Sequence, residues 1–329
     1  VQFTPKPLGI LTVILVVSAS GCSDNEQALQ SWQHAGSSGI YEAAVSDDGR
    51  FAAVSTVTEG TGLWDLSRDQ ALYRWRHGDQ DRQVILHMDF SPDAGHVITA
   101  DERSYVVWDT GTGKALGYWT VGADITDVAL SNKGRYVLLG LEDGRALHID
   151  QKTRRRLEVI AHRNEPVTSV DLSAGGRLAV TGGNDHRAMV WDAETGKEIS
   201  AFEHRARVTL VALDPKARQV FSVDNRGGAF VWDAKSGRQL AQLGLKARQY
   251  VISAARFSAD GAQLVTGAPG RSVTLWDGHT GIRLDHWRVP TAGGWSPKGA
   301  IVYAVTFAGD GRSILAEASN GHGRRWALR

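Results

Sequence analysis

The dipeptide Trp-Asp recurs five times along this 329-residue chain, beginning at Trp64, Trp108, Trp191, Trp232 and Trp276. Between the second and third occurrences Ile149-Asp150 takes the same slot, and Trp326-Ala327 follows the last. The seven slots are spaced by 44, 41, 42, 41, 44 and 50 residues. A period of this size constrains the fold more than composition does. Each unit is one supersecondary element that cannot bury its apolar face alone, so neighbouring units must pack on one another.

Two turn columns keep the same period. Upstream of each slot an apolar run ends in Ser-x-x-Gly, as at Ser46/Gly49, Ser131/Gly134, Ser173/Gly176 and Ser258/Gly261, with Ala308/Gly311 a close relative. Ser91-Pro92-Asp93-Ala94-Gly95 reads as a version one residue longer, and Leu213-Asp214-Pro215 as the same corner without its glycine. Gly113, Gly196, Gly237 and Gly281 each lie four residues after the slot aspartate and mark a second hairpin turn. Each unit therefore reads as four short strands; around Trp191 these are 167–172, 178–181, 188–191 and 198–202. Alternating apolar and polar residues, β-branched enrichment and turns about every ten residues favour strands over helices.

With five Trp-Asp slots and both turn columns in register, the chain resembles the WD-repeat β-propeller family from about Leu29 to Arg329. The resemblance implies radial four-stranded blades around a central channel. The expected fold class is all-β: one seven-bladed β-propeller over 28–329, closed by pairing of the N-terminal strand with the last blade. The seventh unit reaches Arg329 after only three strands. A spare outer strand, Ala28-Leu29-Gln30-Ser31-Trp32, stands at the front and matches Ala71-Leu72-Tyr73-Arg74-Trp75. Pairing these ends would remove the exposed sheet edges of an open array.

Residues 1–27 lie outside the repeats. An unbroken, mostly apolar run of ten residues, 8–17, is too short to span a ~30 Å hydrocarbon core, which needs about 20 residues. It suits the hydrophobic region of a secretion signal. Ala19-Ser20-Gly21-Cys22 follows, and Cys22 is the one cysteine of the chain. This segment resembles a bacterial lipoprotein signal, with Ala19 where leucine is usual and Lys6 as the only charge of the leader. The resemblance implies a signal peptide over 1–21, lipid attachment at Cys22 and a polar tether over 22–27. Ser23, in place of the aspartate tied to inner-membrane retention in that family, favours the periplasmic side of the outer membrane. With a single cysteine there is no internal disulfide, so stability must come from packing.

The chain carries 37 basic and 36 acidic residues, and loss of Lys6 with the leader leaves 36 of each. That balance argues against a nucleic-acid binder, which would show a basic footprint. There is no His-x-x-x-His, no cysteine pair, no phosphate-cradling glycine loop and no Gly-x-Ser-x-Gly elbow. No metal, cofactor or catalytic residue is expected. Arg154-Arg155-Arg156 reads as a solvated turn.

In the WD-repeat family some blades carry a hydrogen-bonded tetrad, and His162, Thr181, Asp185 and Trp191 match its spacing. A chain that ends on an indole N–H, which can only donate, is a buried structural network rather than a catalytic triad. His204, Ser222 and Trp232 also match, but Arg226 stands in the aspartate slot; one complete tetrad in seven is expected. Six tryptophans fill third-strand slots and Trp32, Trp75, Trp119 and Trp287 lie on outer strands. Trp295 alone falls outside the repeat, in the 289–300 insertion, where a loop aromatic suits a binding anchor. Loops entering the first strands of consecutive blades bring Arg205, Arg207, Lys246, Arg248 and Lys298 to one face, a basic sector suited to an acidic partner. The functional expectation is a non-enzymatic protein–protein interaction scaffold of the bacterial envelope, with membrane contact through Cys22. The alternative is ligand binding or catalysis at the channel mouth, which requires convergent polar or titratable side chains there.

Overall fold

A computed structural model describes residues 28–34, 39–56, 59–77, 84–245, 251–291 and 299–328. The expected signal, tether and Cys22, together with Trp295, Lys246, Arg248 and Lys298, lie outside the described residues.

Twenty-eight strands among the described residues form seven four-stranded antiparallel sheets. Blades 1 to 6 cover 40–75, 87–120, 125–160, 167–203, 208–242 and 254–288. Blade 7 takes three strands from 302–327 and its fourth from the front of the chain. That fourth strand, β1 (Ala28–Gln33), pairs antiparallel with β28 (His322–Ala327), Trp32 opposite Gly323 and Gln33 opposite His322. The ring is a seven-bladed β-propeller closed by its N-terminal strand, as the repeat implied.

Packing follows the repeat. The buried apolar residues fall into seven clusters, and each joins two adjacent blades. Seven interfaces for seven blades leave no blade face uncovered, which is how a ring without disulfides holds together. Slot tryptophans belong to these interfaces: Trp108, Trp191, Trp276 and Trp326 are all buried. At all five Trp-Asp slots the pairing register with the outer strand shifts at the tryptophan; at Ile149 it does not. The slot aspartate then caps the turn. Asp192 Oδ1 accepts from Thr195 N at 2.8 Å and from Thr195 Oγ1 at 2.9 Å, while Gly196 N donates to Asp192 O at 2.8 Å.

One turn reading is corrected, and the reading of the Asp214 corner as the same turn without its glycine holds. The turn at Ser91 is not longer than its relatives. Ala94 N donates to Ser91 O at 2.7 Å, as Gly49 N does to Ser46 O, and Ala94 adopts φ 56° in the position of the glycine. The Asp214 corner does the same with Ala217 at φ 53°. In the second turn column Arg154 stands where four blades have glycine, with φ 61° and its N–H on Asp150 O. These three residues occupy a left-handed conformation that Cβ sterics disfavour by ~1–2 kcal/mol.

Candidate functional site

Three kinds of polar constellation occupy the ring, and they differ in how fully their hydrogen-bonding capacity is used. The first is the tetrad. His162, between blades 3 and 4, places Nδ1 2.8 Å from Asp185 Oδ1 and Nε2 2.9 Å from Thr181 Oγ1. Gly183 makes room for this imidazole, since a Cβ there would lie 2.4 Å from the ring. Burial opposes ionisation of Asp185, but the hydrogen bond and charge of His162 outweigh it and hold the carboxyl below its usual range. The expected last link is missing: Trp191 Nε1 is buried with no partner, so in blade 4 the chain stops at Thr181.

Blades 2 and 5 carry the complete chain instead. His77 Nε2 lies 2.7 Å from Thr99 Oγ1 and its Nδ1 3.4 Å from Asp101 Oδ2, and Trp108 Nε1 donates to Thr99 Oγ1 at 2.8 Å. In blade 5, His204 meets Ser222 Oγ at 2.8 Å and Asp224 Oδ2 at 3.2 Å, and Trp232 Nε1 donates to Ser222 Oγ at 2.8 Å. The expectation of one complete tetrad is therefore corrected. In both blades the aspartate stands two residues after the hydroxyl rather than four, which is why Arg226 could fill the usual slot. The motifs Thr99-Ala100-Asp101 and Ser222-Val223-Asp224 were the available signal. Blade 2 was further hidden by a turn one residue shorter, which moves Thr99 from the tenth to the ninth position before its tryptophan.

The second constellation lines the channel, a cavity of about 200 Å³ bounded by the first strands of all seven blades. The polar groups collect on blades 1 to 4, with Glu42, His87, Asp89, Asp127 and Asp171; Arg256 reaches them from blade 6. Sequence reasoning missed this group. Its signal is the residue two places before each first turn, where Asp89, Asp171 and Arg256 share one column. Arg256 Nε lies 3.1 Å from Asp47 Oδ1, and its Nη2 3.6 Å from Asp89 Oδ1.

Most of these carboxylates bind the neighbouring blade. Asp89 Oδ2 accepts from Leu130 N at 3.0 Å, Asp127 Oδ2 from Val170 N at 2.8 Å and Asp171 Oδ2 from Leu213 N at 2.7 Å. Burial pushes Asp89 up to about 7, against the pull of Arg256, and Asp127 up to about 6, against three hydrogen bonds. It also raises Asp171, and it lowers His87 to about 4. Glu42 differs. Among the described residues it accepts only from the adjacent Ala43 N, at 3.0 Å, and burial raises it to about 8. The nearby Tyr303 hydroxyl is raised by burial and by the Glu42 charge.

At the closing seam a third arrangement ties the ends of the ring. Glu317, fully buried, accepts from Trp32 Nε1 and lies 3.1 Å from His34 Nε2 through the same oxygen, Oε1. His34 in turn packs against Trp64 of blade 1, ring centroids 4.6 Å apart.

On the rim the use of polar groups reverses. Arg205 and Arg207 are exposed, and neither forms an ion pair among the described residues. Arg205 borders a groove of about 1020 Å³ on blade 5 whose walls include Arg226, Phe230 and Trp232; Arg207 lies outside its lining. Among the described residues no group of three or more His, Cys, Asp or Glu side chains is arranged to hold a metal ion, and no helix is long and apolar enough to cross a membrane.

Residues 154–192, from the turn after Asp150 through Trp191-Asp192, match the family described as WD domain, G-beta repeat. No curated protein matches the chain. The matched repeat and the seven-bladed ring together support the WD-repeat β-propeller family, whose members commonly mediate protein–protein interaction.

Proposed function

We propose that this propeller is a non-enzymatic protein–protein interaction scaffold, held in the bacterial cell envelope by a lipid on Cys22 and supporting an envelope complex or its assembly. The observation that carries the reading is the contrast in polar groups. Three channel carboxylates are each bonded to a backbone N–H of the next blade, while Arg205, Arg207 and Arg226 on the blade 5 rim are exposed and form no ion pair among the described residues. A disc whose channel aspartates are bonded blade to blade, and whose rim cations are open, is suited to docking rather than to proton transfer. Fold alone does not decide function. Several acyl chains on Cys22, at ~0.8 kcal/mol per buried CH₂, would anchor the disc firmly and raise its effective concentration near a membrane-bound partner. The outer membrane is the favoured site, and Trp295 remains a candidate anchor beside Arg205, Arg207, Lys246 and Arg248. Crosslinking in native cells, with identification of what is captured, tests the scaffold. Palmitate labelling tests the anchor: the account expects labelling that disappears in Cys22→Ser, and an unlabelled parent protein overturns it.

A second reading is favoured by one observation, the pair Glu42 and Tyr303 in the channel, whose side chains, among the described residues, are not bonded to the backbone of the next blade as the aspartates are. A small cationic ligand seated there would raise the melting temperature of the parent protein and not that of Glu42→Gln.

A further inference from the structure

Blade 5 departs from blades 3 and 4 at one position, from every other blade at a second and from blade 2 at a third, and the departures meet in one groove. Six residues before the slot tryptophan blade 4 has Asp185 and blade 3 has Asp143, whereas blade 5 has Arg226. Two residues before that tryptophan the seven units carry Gly62, Val106, Leu147, Met189, Phe230, Thr274 and Arg324, so Phe230 is the one aromatic of its column. Opposite it on the outer strand stands Gln242, where blade 2 has Tyr118. In blade 2 that tyrosine lies over the tetrad histidine, ring centroids 6.0 Å apart, and bonds Ser104 Oγ. Among the described residues of blade 5 no outer-strand ring covers His204; Phe230 meets it edge-on at 5.4 Å, and these residues leave the groove open.

The floor is an aromatic ladder. Phe202 of blade 4 stacks on Trp232 at 4.8 Å, and Phe230 lies 5.3 Å from Trp232 with one side partly exposed. Arg205 and Arg226, both exposed, stand at its edge. The acids nearby are already engaged. Asp224 is buried and receives His204, Arg226 N and Gly228 N, and Glu203 is paired with Arg187 at 3.0 Å. Two guanidiniums without an ion pair among the described residues, beside a partly exposed aromatic floor, match a ligand carrying carboxylates next to an aromatic or apolar side chain, since arginine binds carboxylate bidentately and stacks on rings.

We infer that the blade 5 groove is a docking site for an acidic peptide segment of a protein partner, with carboxylates on Arg205 and Arg226 and an aromatic side chain on the Phe230–Trp232 floor. The inference rests on the scaffold reading and names the chemistry of its partner.

The test uses the full chain and a fluorescent random Glu/Tyr copolymer as probe. Fluorescence anisotropy should show saturable binding that weakens with salt. Restoring the blade 4 residues, Arg226→Asp with Phe230→Met, should weaken it at least tenfold, as should Arg205→Glu alone. Arg163→Glu, at the matching position of blade 4, should leave it within twofold. All variants should keep the parent melting temperature, and Arg205→Glu, whose side chain is outside the core, keeps the test open if the double variant unfolds. Absence of binding by the parent protein overturns the inference, as does binding undiminished in Arg205→Glu. Equal binding of a single-stranded oligonucleotide, indifferent to Phe230→Met, also overturns it, because the groove would then be reading charge alone. A partner captured in cells through another face would leave the scaffold reading standing while this one fell.

Discussion

The channel and the blade 5 rim use the same side chains to opposite ends. In the channel, aspartates and an arginine are enclosed and bonded, blade to blade; on the rim, Arg205 and Arg226 are exposed and form no ion pair among the described residues, beside partly exposed aromatic rings that pack on one another. The difference shows that in a repeat protein the type of a residue carries little functional information until its structural duties are subtracted. A carboxylate that bonds a neighbouring backbone is part of the ring. An arginine in a position that elsewhere holds aspartate is not required by it.

Four outcomes would break or sharpen that contrast. The largest concerns Arg256. Its replacement by Ala leaves Asp47, Asp89 and Asp171 without their cation. Breaking a buried pair typically costs ~3–5 kcal/mol; with 26% of this side chain exposed, about 2–3 kcal/mol is expected in denaturant unfolding. Arg205→Ala on the rim should cost less than ~0.5 kcal/mol in the same assay. Equal losses would erase the distinction.

Next comes His162→Ala, which strands buried partners at Thr181 and Asp185. A loss of ~1–3 kcal/mol is expected, and an unaltered melting temperature would contradict the structural role of that network.

The third outcome is a pH dependence. Glu42 holds its proton to about pH 8 in the folded ring but only to about 4.5 when unfolded, so between those values the folded state binds more protons. Its contribution is therefore fully present below pH 4.5 and is lost as pH rises toward 8. Asp89 and Asp127 act in the same direction over narrower windows. His87, lowered to about 4, acts oppositely and weakens the ring as pH falls from 6.5 toward 4. Glu42→Gln keeps the shape and removes the charge. Its melting temperature should match the parent near pH 4.5 and exceed it by several degrees at pH 8.5; a constant difference would show that Glu42 ionises freely.

The smallest effect is at Arg154, held at φ 61° in a glycine position. Arg154→Gly relieves that conformation while loosening the unfolded chain, so a net gain of about 0.5–1 kcal/mol is expected in thermal unfolding. Destabilisation would mean that the arginine side chain contributes to its turn.

The fold was legible because its determinants are periodic. Blade number, both turn columns and the Trp32 strand that closes the ring all follow from spacing. The tetrads were legible only where spacing was kept. His77 and Thr99 escaped because the loop before blade 2 is longer and the following hairpin shorter, and Asp224 because an aspartate two residues from Ser222 reaches the same imidazole as one four residues away. The channel was hidden for a different reason. Asp89, Asp171 and Arg256 are single polar residues in apolar strands, and only the closed ring brings blade 6 across to blades 1 and 2. On the rim, Arg205 was visible as charge, but the groove also needs Arg226 and Phe230, whose meaning appears only by comparison with Asp185 and Met189 one blade earlier.

The central claim is that this ring works by docking a partner on its rim. A photo-crosslinking amino acid placed at Arg205 in native cells, with the same residue at Arg163 on blade 4 as control, tests it most directly. The account predicts one discrete adduct from position 205, absent from 163 and reduced by Arg226→Asp. Adducts of equal yield from both positions, or none from position 205, would contradict it.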